Sequence, residues 1–163
     1  MEQIAVFPGS FDPITIGHVD IIRRSLNLFD KIIIAIGYNS NKSGFFPLDK
    51  RKIWISQVFS DTQKIIVDHY EGLTIDYCKK VKARYLLRGL RSADDFEYER
   101  SIAQMNQAMH PELESVFLFT RPEYTAISST IVRDIIRHGG DAGKFIPSEI
   151  NQEEFNNNND KCR

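Results

Sequence analysis

Short runs of β-branched and other apolar residues recur along the chain, separated by longer segments in which apolar positions lie three or four residues apart. Short runs of this composition are typical of strands, whereas the wider spacing is typical of amphipathic helices. The apolar runs are Ile4–Phe7, Lys31–Ile36, Lys64–Val67, Arg84–Leu87 and Ser115–Phe119. Helical spacing is clearest at Val19, Ile22, Leu26 and Phe29 and at Tyr98, Ile102, Met105 and Met109. The pattern therefore predicts a chain that alternates strand and helix.

The predicted strands are apolar on both faces, which favours a parallel sheet covered by helices on both sides. The expected fold class is therefore α/β, a three-layer domain with a five-stranded parallel sheet. A single domain is predicted over residues 1–150. Residues 151–163 form a polar tail that contains four consecutive asparagines at 156–159. This tail has too few apolar groups to pack and is expected to fray.

Composition and charge narrow the class of protein. The 163 residues are 42% hydrophobic and 26% charged, which fits a globular domain and does not fit a disordered chain or a coiled coil. With 21 Lys and Arg against 22 Asp and Glu, the chain has no broad cationic face for nucleic acid, so a polyanion would have to be bound locally. The two cysteines, Cys78 and Cys162, are too few for a disulfide framework or a four-cysteine zinc site. The sequence shows neither a membrane-spanning segment nor a signal peptide, so a cytoplasmic location without a membrane partner is expected.

Glycines, hydroxyls and cations follow several of the predicted strands, at the edge where open parallel sheets bind ligands. These residues are Gly17 and His18, Lys42, Arg88 and Arg91, and the run Ser128–Thr130. Each of them alone could be a turn residue, a helix cap or a solvated charge. Helix N-termini and guanidinium groups both bind phosphate, however, so their convergence on one edge predicts a phosphate-binding site.

Three common enzyme motifs are absent from the sequence. No Gly-x-Gly-x-x-Gly follows the first predicted strand, and neither Gly-x-x-x-x-Gly-Lys-Ser/Thr nor Gly-x-Ser-x-Gly occurs. These absences argue against three classes of enzyme, namely dinucleotide-dependent dehydrogenases, P-loop kinases and α/β-hydrolases. The chemistry that remains is phosphate chemistry performed by cations and helix ends.

Two segments resemble the paired signatures of the nucleotidylyltransferase superfamily. Residues 9–18 read Gly-Ser-Phe-Asp-Pro-Ile-Thr-Ile-Gly-His and contain its (H/T)-x-G-H pattern, and Ile127–Thr130 with Arg133 is similar to its second signature. Within the superfamily, one family is resembled closely, the bacterial phosphopantetheine adenylyltransferases. The segments that resemble it are Lys42, Arg88–Arg91, Asp94–Glu99 and Pro111–Leu118. The resemblance covers roughly residues 2–150 and implies a Rossmann-like domain.

The resemblance implies transfer of the adenylyl group of ATP to 4'-phosphopantetheine, which gives dephospho-coenzyme A and pyrophosphate in the penultimate step of coenzyme A synthesis. It also implies a homo-hexamer and feedback inhibition by coenzyme A. Because both reactants already carry phosphate, direct in-line attack needs no general base and no covalent enzyme intermediate. Mg²⁺ is expected to bind mainly through the ATP phosphates rather than in a carboxylate cage.

The same resemblance assigns residues to each reactant. The nucleotide would contact Ser10, Phe11, His18, Gly89, Leu90, Arg91, Glu99, Tyr124, Thr125, Ala126, Ile127, Ser128, Ser129 and Thr130. The acceptor would contact Ser10, Lys42, Thr74 and Arg88. The catalytic residues would be His18, Lys42 and Arg91. His18 would donate to the α-phosphate as charge builds there, while the cations hold and neutralise the phosphates.

Some positions depart from the family pattern. Ser10 stands where threonine is usual, so a hydroxyl is retained, and Thr74 stands where an apolar residue is usual. The asparagine-rich tail does not match the last helix of the family. No role is assigned to that tail.

Two alternatives remain open. One is a different nucleotidylyltransferase that makes a cytidylyl alcohol or an NAD precursor, although Tyr124-Thr125-Ala126 occupies the place of the Arg-Thr-x-Gly run expected in a cytidylyltransferase. The other is a nucleotide-sensing module that binds without turnover, since an α/β domain of this size serves either role. The combination of His18, Lys42 and Arg91 disfavours a sensor, which needs affinity rather than cations directed at the reacting phosphorus.

Overall fold

The computed structural model describes residues 2–39, 41, 43–151 and 155. The strands are β1 (Ile4–Gly9), β2 (Lys31–Gly37), β3 (Ile65–Tyr70), β4 (Tyr85–Leu90) and β5 (Glu114–Phe119). The helices are α1 (Ile16–Ser25), α2 (Leu48–Val58), α3 (Thr74–Lys80), α4 (Ala93–Met109) and α5 (Ser129–Arg137), with 3-10 helices at Pro122–Tyr124 and Gly143–Phe145. Strand and helix alternate, as the apolar pattern predicts. Within the described residues, no helix has the length and apolar character needed to cross a bilayer.

All five strands pair in parallel, in the order β3-β2-β1-β4-β5. The five-stranded parallel sheet of an α/β fold is therefore confirmed. Several strands run further at their carboxyl ends than the apolar runs indicate, because hydrogen-bonded partners on a neighbouring strand extend them. Pro8 and Gly9 belong to β1, where they pair with β2, and Arg88–Leu90 belong to β4, where they pair with β5. Several site candidates thus lie in a rigid strand rather than in the loop after it.

Apolar side chains cover both faces of the sheet. Phe7 of β1 belongs to a cluster with Ile22 of α1 and Trp54 of α2. Its neighbour Val6 faces the other way and belongs to a cluster with Cys78 of α3. Because adjacent strand residues point to opposite faces, helices are required on both sides, and the three-layer arrangement is confirmed. The Cys78 thiol is free and buried, and this burial raises its pKa to about 11, which fits a packing role rather than a reactive one.

Helix α4 buries little of its surface. Glu99, at 9% exposed, is the one buried residue among its 17 positions. Tyr98 and Met105, two of the residues with helical spacing, are 69% and 64% exposed. The spacing therefore predicts the helix correctly, but much of its apolar stripe faces outward, as in helices that contact another protein chain.

Phe155 lies in the tail that the sequence predicts to fray. It is 1% exposed, and its ring centroid lies 5.5 Å from that of Trp54 and 5.3 Å from that of Phe46. One aromatic ring in a polar tract thus buries apolar surface against the core, while the fraying of the tail stays a prediction. The asparagines at 156–159 and Cys162 lie outside the described residues.

Candidate active site at the carboxyl edge of the sheet

A cleft of about 280 Å³ opens at the carboxyl ends of β1 and β4. The strand order changes direction between these two strands, which is where open α/β sheets bind ligands. The walls come from the end of β1, the start of α1, the β4–α4 segment and the segment that enters α5. The polar residues that line the cleft include Thr15, His18, Arg88, Arg91, Asp95, Glu99 and Ser129.

His18 lies in the first turn of α1, and the residue that caps this helix fixes its ring. Thr15 Oγ1 accepts a hydrogen bond from the backbone N–H of His18 at 3.4 Å, and the Thr15 backbone N–H donates to His18 Nδ1 at 3.0 Å. This reciprocal arrangement is a capping box. Since Nδ1 accepts, the proton of the neutral ring is assigned to Nε2. The cap thereby makes Nε2–H the donor of the ring.

The surroundings of His18 keep its ring uncharged. Burial lowers the pKa of His18 to about 4, and the positive charges of Arg91 and Arg88 act in the same direction. The rings of Phe11 and Phe7 lie edge-on to the imidazole, with centroids 5.2 and 6.5 Å away. The imidazole is therefore neutral near neutral pH.

Three hydrogen bonds orient Arg88. Its Nε donates to Glu99 Oε2 at 2.9 Å, its Nη2 donates to Glu99 Oε1, and its Nη1 donates to the carbonyl oxygen of Pro8 at 2.9 Å. A guanidinium carries five N–H groups, so the remaining ones are available to a ligand. Glu99 lines the cleft and at the same time fixes the direction in which Arg88 presents those groups.

Arg91 follows β4 directly and pairs with a carboxylate one turn into α4. Its Nε donates to Asp95 Oδ2 at 3.1 Å, and its backbone N–H donates to the same oxygen at 3.0 Å. Burial raises the pKa of the Asp95 carboxyl, but the hydrogen bonds from Arg91 outweigh burial and hold that pKa below its ordinary value. The Arg91 side chain is 44% exposed, so the guanidinium is accessible to an anionic ligand.

The start of α5 brings hydroxyl and amide groups to the cleft and is docked on the loop after β1. Ser128 caps the helix by accepting a hydrogen bond from the backbone N–H three residues on, at 3.2 Å. Ser129 Oγ donates to the carbonyl oxygen of Pro13 at 2.7 Å, and Arg133 Nη1 donates to that of Asp12 at 2.6 Å. These two bonds fix the α5 N-terminus relative to the loop that leads to His18.

A second cavity of about 320 Å³ adjoins the cleft. Pro8, Gly9, Arg88 and Glu99 line both cavities. The rest of the second cavity is mainly apolar, and its lining includes Leu73, Ile75, Leu86, Ile102 and Met109 together with Tyr70, Thr74 and Asn106. Thr74, which the sequence assigns to the acceptor, thus lies in the second cavity.

The structure brings many of the sequence-derived candidates to these two cavities, but not all of them. The cleft contains His18, Arg88, Gly89, Arg91, Glu99, Tyr124, Ile127, Ser128 and Ser129. Neither described lining includes Ser10, Phe11, Leu90, Thr125, Ala126 or Thr130. Leu90 is 2% exposed in the core, and Ser10 borders a separate open depression beside Arg133. Lys42 lies outside the described residues.

Phe11 supports the cleft from behind rather than lining it. Its backbone is left-handed, with φ at 44°, and its side chain is 1% exposed. The ring covers Gly9, where a Cβ atom would lie 3.0 Å from the ring carbon Cζ. A glycine at this position therefore allows the Phe11 ring to pack between β1 and His18.

Three polar residues that organise the site stand in segments that resemble the family, but sequence reasoning assigned them no role in the site. Thr15 has a sequence signal, the spacing of a capping box with a polar residue three positions on. Asp95 also has one, because it stands four residues after Arg91 at a helix start. Asp12 lies in the first signature, but no local pattern indicates its partners. Its carboxylate accepts hydrogen bonds from the backbone N–H groups of Phe45 and Phe46 at 2.7 and 2.8 Å, across more than thirty residues of chain.

The fold is that of solved nucleotidyltransferases. A putative nicotinate-nucleotide adenylyltransferase from Vibrio parahaemolyticus matches with a TM-score of 0.69 and 20% identity, covering 94% of this chain and 98% of that one. A bifunctional NMN adenylyltransferase/ADP ribose pyrophosphatase from Francisella tularensis, complexed with AMP and an Mn ion, matches with a TM-score of 0.71 and 18% identity over 99% of this chain and 49% of that one. The family model described as cytidylyltransferase-like matches residues 6–135. Fold and family model together define the class as nucleotidyltransferases.

Relatives with higher sequence identity narrow the nucleotidyltransferase class to one family. A phosphopantetheine adenylyltransferase from Flavobacterium johnsoniae is 51% identical over 90% of this chain and 95% of its own length. Another, from Leptospira biflexa, is 47% identical over 93% of this chain and 95% of its own length. The chain belongs to the phosphopantetheine adenylyltransferase family.

Proposed function

We propose that this chain transfers the adenylyl group of ATP to 4'-phosphopantetheine and releases dephospho-coenzyme A and pyrophosphate. The observation that carries the proposal is the junction of the two cavities, where Arg88, Glu99 and the end of β1 line both. An acceptor phosphate bound at this junction would lie beside a nucleotide in the cleft. Family membership supplies the identity of the two reactants.

The cleft would hold ATP between two helix starts. Both α1 and α5 begin there, and their first backbone N–H groups and positive helix ends favour phosphate. Arg91 would exchange its contact with Asp95 for phosphate oxygens, to which a guanidinium binds as a fork. The run Tyr124–Thr130, which the family pattern assigns to the nucleotide, contributes Tyr124, Ile127 and two serines to the lining.

The junction would hold the phosphate of the acceptor. Arg88 has N–H groups beyond those bonded to Glu99 and Pro8, and the family pattern adds Lys42. Cations are needed there because two unit negative charges about 4 Å apart repel by roughly 4 kcal/mol at an effective dielectric constant of about 20. Arg88, Lys42 and Arg91 would offset this repulsion.

In the chemical step, an oxygen of the acceptor 4'-phosphate attacks the α-phosphorus of ATP in line. The bond from that phosphorus to the bridging oxygen breaks, and its electron pair leaves on pyrophosphate. The attacking oxygen is already anionic, so no residue has to remove a proton. Negative charge grows on the non-bridging α-phosphate oxygens, and the neutral Nε2–H of His18 would donate to them.

Mg²⁺ belongs in this proposal to the substrate, as the complex with ATP. Within the described residues, no group of three His, Cys, Asp or Glu side chains could hold a metal ion. The two carboxylates of the cleft, Asp95 and Glu99, are each paired with an arginine. These residues do not fit a protein-held metal cage, whereas ATP phosphates bind Mg²⁺ readily.

A homo-hexamer and inhibition by coenzyme A form the remaining part of the proposal. The exposed apolar residues of α4, chiefly Tyr98 and Met105, support self-association, because a monomer rarely leaves such a stripe uncovered. Coenzyme A contains both the adenylate and the pantetheine arm, so it would occupy the cleft and the second cavity together.

Pyrophosphate release in a coupled assay tests the proposal. ATP and 4'-phosphopantetheine together should give pyrophosphate, and omission of either should abolish it. CTP in place of ATP, or nicotinate mononucleotide in place of the acceptor, should give little. Turnover with CTP or with the mononucleotide would indicate another nucleotidyltransferase, and ATP binding without pyrophosphate would indicate a sensor, so either result would overturn the proposal.

A further inference from the structure

A pair of hydrogen-bonded hydroxyl groups lines the second cavity on the side of the edge strand β3. Tyr70 stands at the end of β3 and Thr74 at the start of α3, and Tyr70 Oη lies 2.7 Å from Thr74 Oγ1. Both residues line the cavity beside the apolar side chains of Leu73 and Ile75. A few polar groups placed in an apolar wall usually fix the orientation of a ligand.

The hydroxyl of Tyr70 is held in place before a ligand binds. Its ring stacks on Tyr77, with centroids 4.9 Å apart and planes at 23°, and the Tyr77 hydroxyl donates to Asp68 Oδ2 at 2.7 Å. On another side lies Gly37, where a Cβ atom would be 3.5 Å from Tyr70 Oη. A preformed polar contact of this kind loses little conformational entropy when a ligand binds.

The pair has the hydrogen-bonding capacity that an amide requires. One hydroxyl donates to the other, so a single O–H hydrogen and the remaining oxygen lone pairs are left for a ligand. An amide group supplies one acceptor, its carbonyl oxygen, and one donor, its N–H. The Tyr70–Thr74 pair can therefore satisfy both halves of one amide.

The register of the sheet gives the distance from this pair to the cavity junction. Gly9 pairs with Ile36, and Ile36 pairs with His69, the residue before Tyr70. Two strand spacings place the end of β3 roughly 10 Å from the end of β1. A nearly extended chain covers about 3.5 Å for every three bonds, so about nine bonds span this distance.

The arm of 4'-phosphopantetheine has an amide at this separation. About nine bonds lead from its phosphorus to the carbonyl carbon of the distal amide, the one nearer the thiol. With the phosphate at Arg88 and the end of β1, an extended arm would bring the distal amide to Tyr70 and Thr74.

We propose that the Tyr70–Thr74 hydroxyl pair binds the distal amide of the acceptor arm and selects acceptors that contain it. This inference rests on the proposed function, which names the acceptor. It gives Tyr70 a role in substrate recognition and makes the hydroxyl of Thr74 the contact at a position where the family usually has an apolar residue.

Steady-state kinetics with two acceptors tests the pair. The variants are Thr74→Val and Tyr70→Phe, and the acceptors are 4'-phosphopantetheine and an analogue in which two methylene groups replace the distal amide. With 4'-phosphopantetheine, each variant should raise the acceptor KM by about three- to tenfold, the effect of losing one neutral hydrogen bond, and leave kcat and the KM for ATP unchanged. With the analogue, wild type and variants should have the same acceptor KM.

Two further variants separate recognition from folding. Tyr85→Phe removes a hydroxyl from a tyrosine at the start of β4, which lines neither cavity, so its acceptor KM should match wild type. Thr74→Ser retains the hydroxyl and should also match wild type. An equal rise in KM for both acceptors, or no rise with 4'-phosphopantetheine, would overturn the role of the pair. Wild-type protein that gives no pyrophosphate with 4'-phosphopantetheine would instead overturn the proposed function, and this inference with it.

Discussion

His18 shows how single residues prepare the site before a ligand arrives. Thr15 fixes the tautomer of its ring through Nδ1, and burial together with two arginines keeps the ring neutral. Arg88 is prepared in the same way, because Glu99 and Pro8 fix the direction of its guanidinium. Donors that already point in the required direction need no rearrangement when charge develops on a substrate.

Removal of the His18 imidazole should slow the chemical step far more than it weakens nucleotide binding. We expect His18→Ala to lower kcat by about a hundredfold or more, as for other lost donors to a transition state, with a modest change in the KM for ATP. The measurement is initial-rate pyrophosphate release. His138→Ala, a change at a histidine whose side chain is 78% exposed, is the control and should be as active as wild type. An unchanged kcat in His18→Ala would refute the donor role.

Folding stability should depend on pH through His18. Burial lowers its pKa from 6.5 to about 4. Between these pH values, His18 is protonated in the unfolded chain but neutral in the folded chain. Stability from this residue is therefore complete above pH 6.5 and lost as pH falls from 6.5 to 4. His18→Gln has no group that titrates at this position. Calorimetry should therefore show that the Tm of wild type falls more than the Tm of this variant as pH drops from 6.5 to 4. Parallel Tm curves for the two proteins would contradict the assignment.

At the scale of elements, the N-termini of α1 and α5 form the wall of the cleft that we propose binds the ATP phosphates, and each is anchored at its cap. Thr15 caps α1 and orients His18, while Ser128 caps α5. The two helix N-termini are connected, because the Ser129 hydroxyl donates a hydrogen bond to the carbonyl oxygen of Pro13 in the loop that precedes α1. The geometry of the wall therefore depends on capping bonds and not only on the core beneath it.

Loss of the α1 cap should affect stability and activity together. We expect Thr15→Val to lower the free energy of unfolding by about 1 kcal/mol, the usual effect of losing an N-cap side chain. The same change removes the hydrogen bond between Thr15 Oγ1 and His18 Nδ1 at 3.0 Å, which also holds the ring, so kcat should also fall. Urea unfolding and initial rates measure the two effects. Thr15→Ser retains the cap and should resemble wild type in both, and a Thr15→Val protein with wild-type stability would show that the cap contributes nothing.

The sequence predicts elements better than it predicts their ends or their partners. The run Ile4–Phe7 predicts β1 because its apolar residues have to be buried, but Pro8 and Gly9 extend the strand through pairing with β2, which no local pattern reveals. The bond between Arg88 and Glu99 joins a strand to a helix eleven residues on, so it follows from packing alone. Thr15 was visible in principle, since a capping box has a fixed spacing.

At the scale of the whole molecule, the strand order determines where the two cavities meet. The chain adds β2 and β3 on one side of β1 and then returns to add β4 and β5 on the other. The cleft forms where this direction changes, and the second cavity extends from it toward β3. Tyr98 and Met105 of α4, by contrast, are exposed, as the proposed self-association requires.

A charge on the exposed side of α4 should break up the proposed hexamer. We expect Met105→Glu, at a position 64% exposed, to reduce the molecular mass in solution from that of a hexamer toward that of a monomer, because a buried unpaired carboxylate is costly. Analytical ultracentrifugation measures this. Ile53→Glu places the same charge at an exposed apolar position of α2 (47% exposed) and should leave the mass unchanged. A Met105→Glu protein of wild-type mass would exclude this side of α4 from the interface.

Because Arg88 and the end of β1 line both cavities, one molecule that links an adenylate to a pantetheine arm can fill both at once. Once one half is bound, the other half is held at a high effective concentration, so such a molecule binds more tightly than either fragment alone. The product of the proposed reaction is a molecule of this kind. Both ends of the product have to dissociate before it leaves, which makes product release a candidate for the slowest step. A compound with the same link between adenylate and pantetheine arm is therefore a rational starting point for an inhibitor.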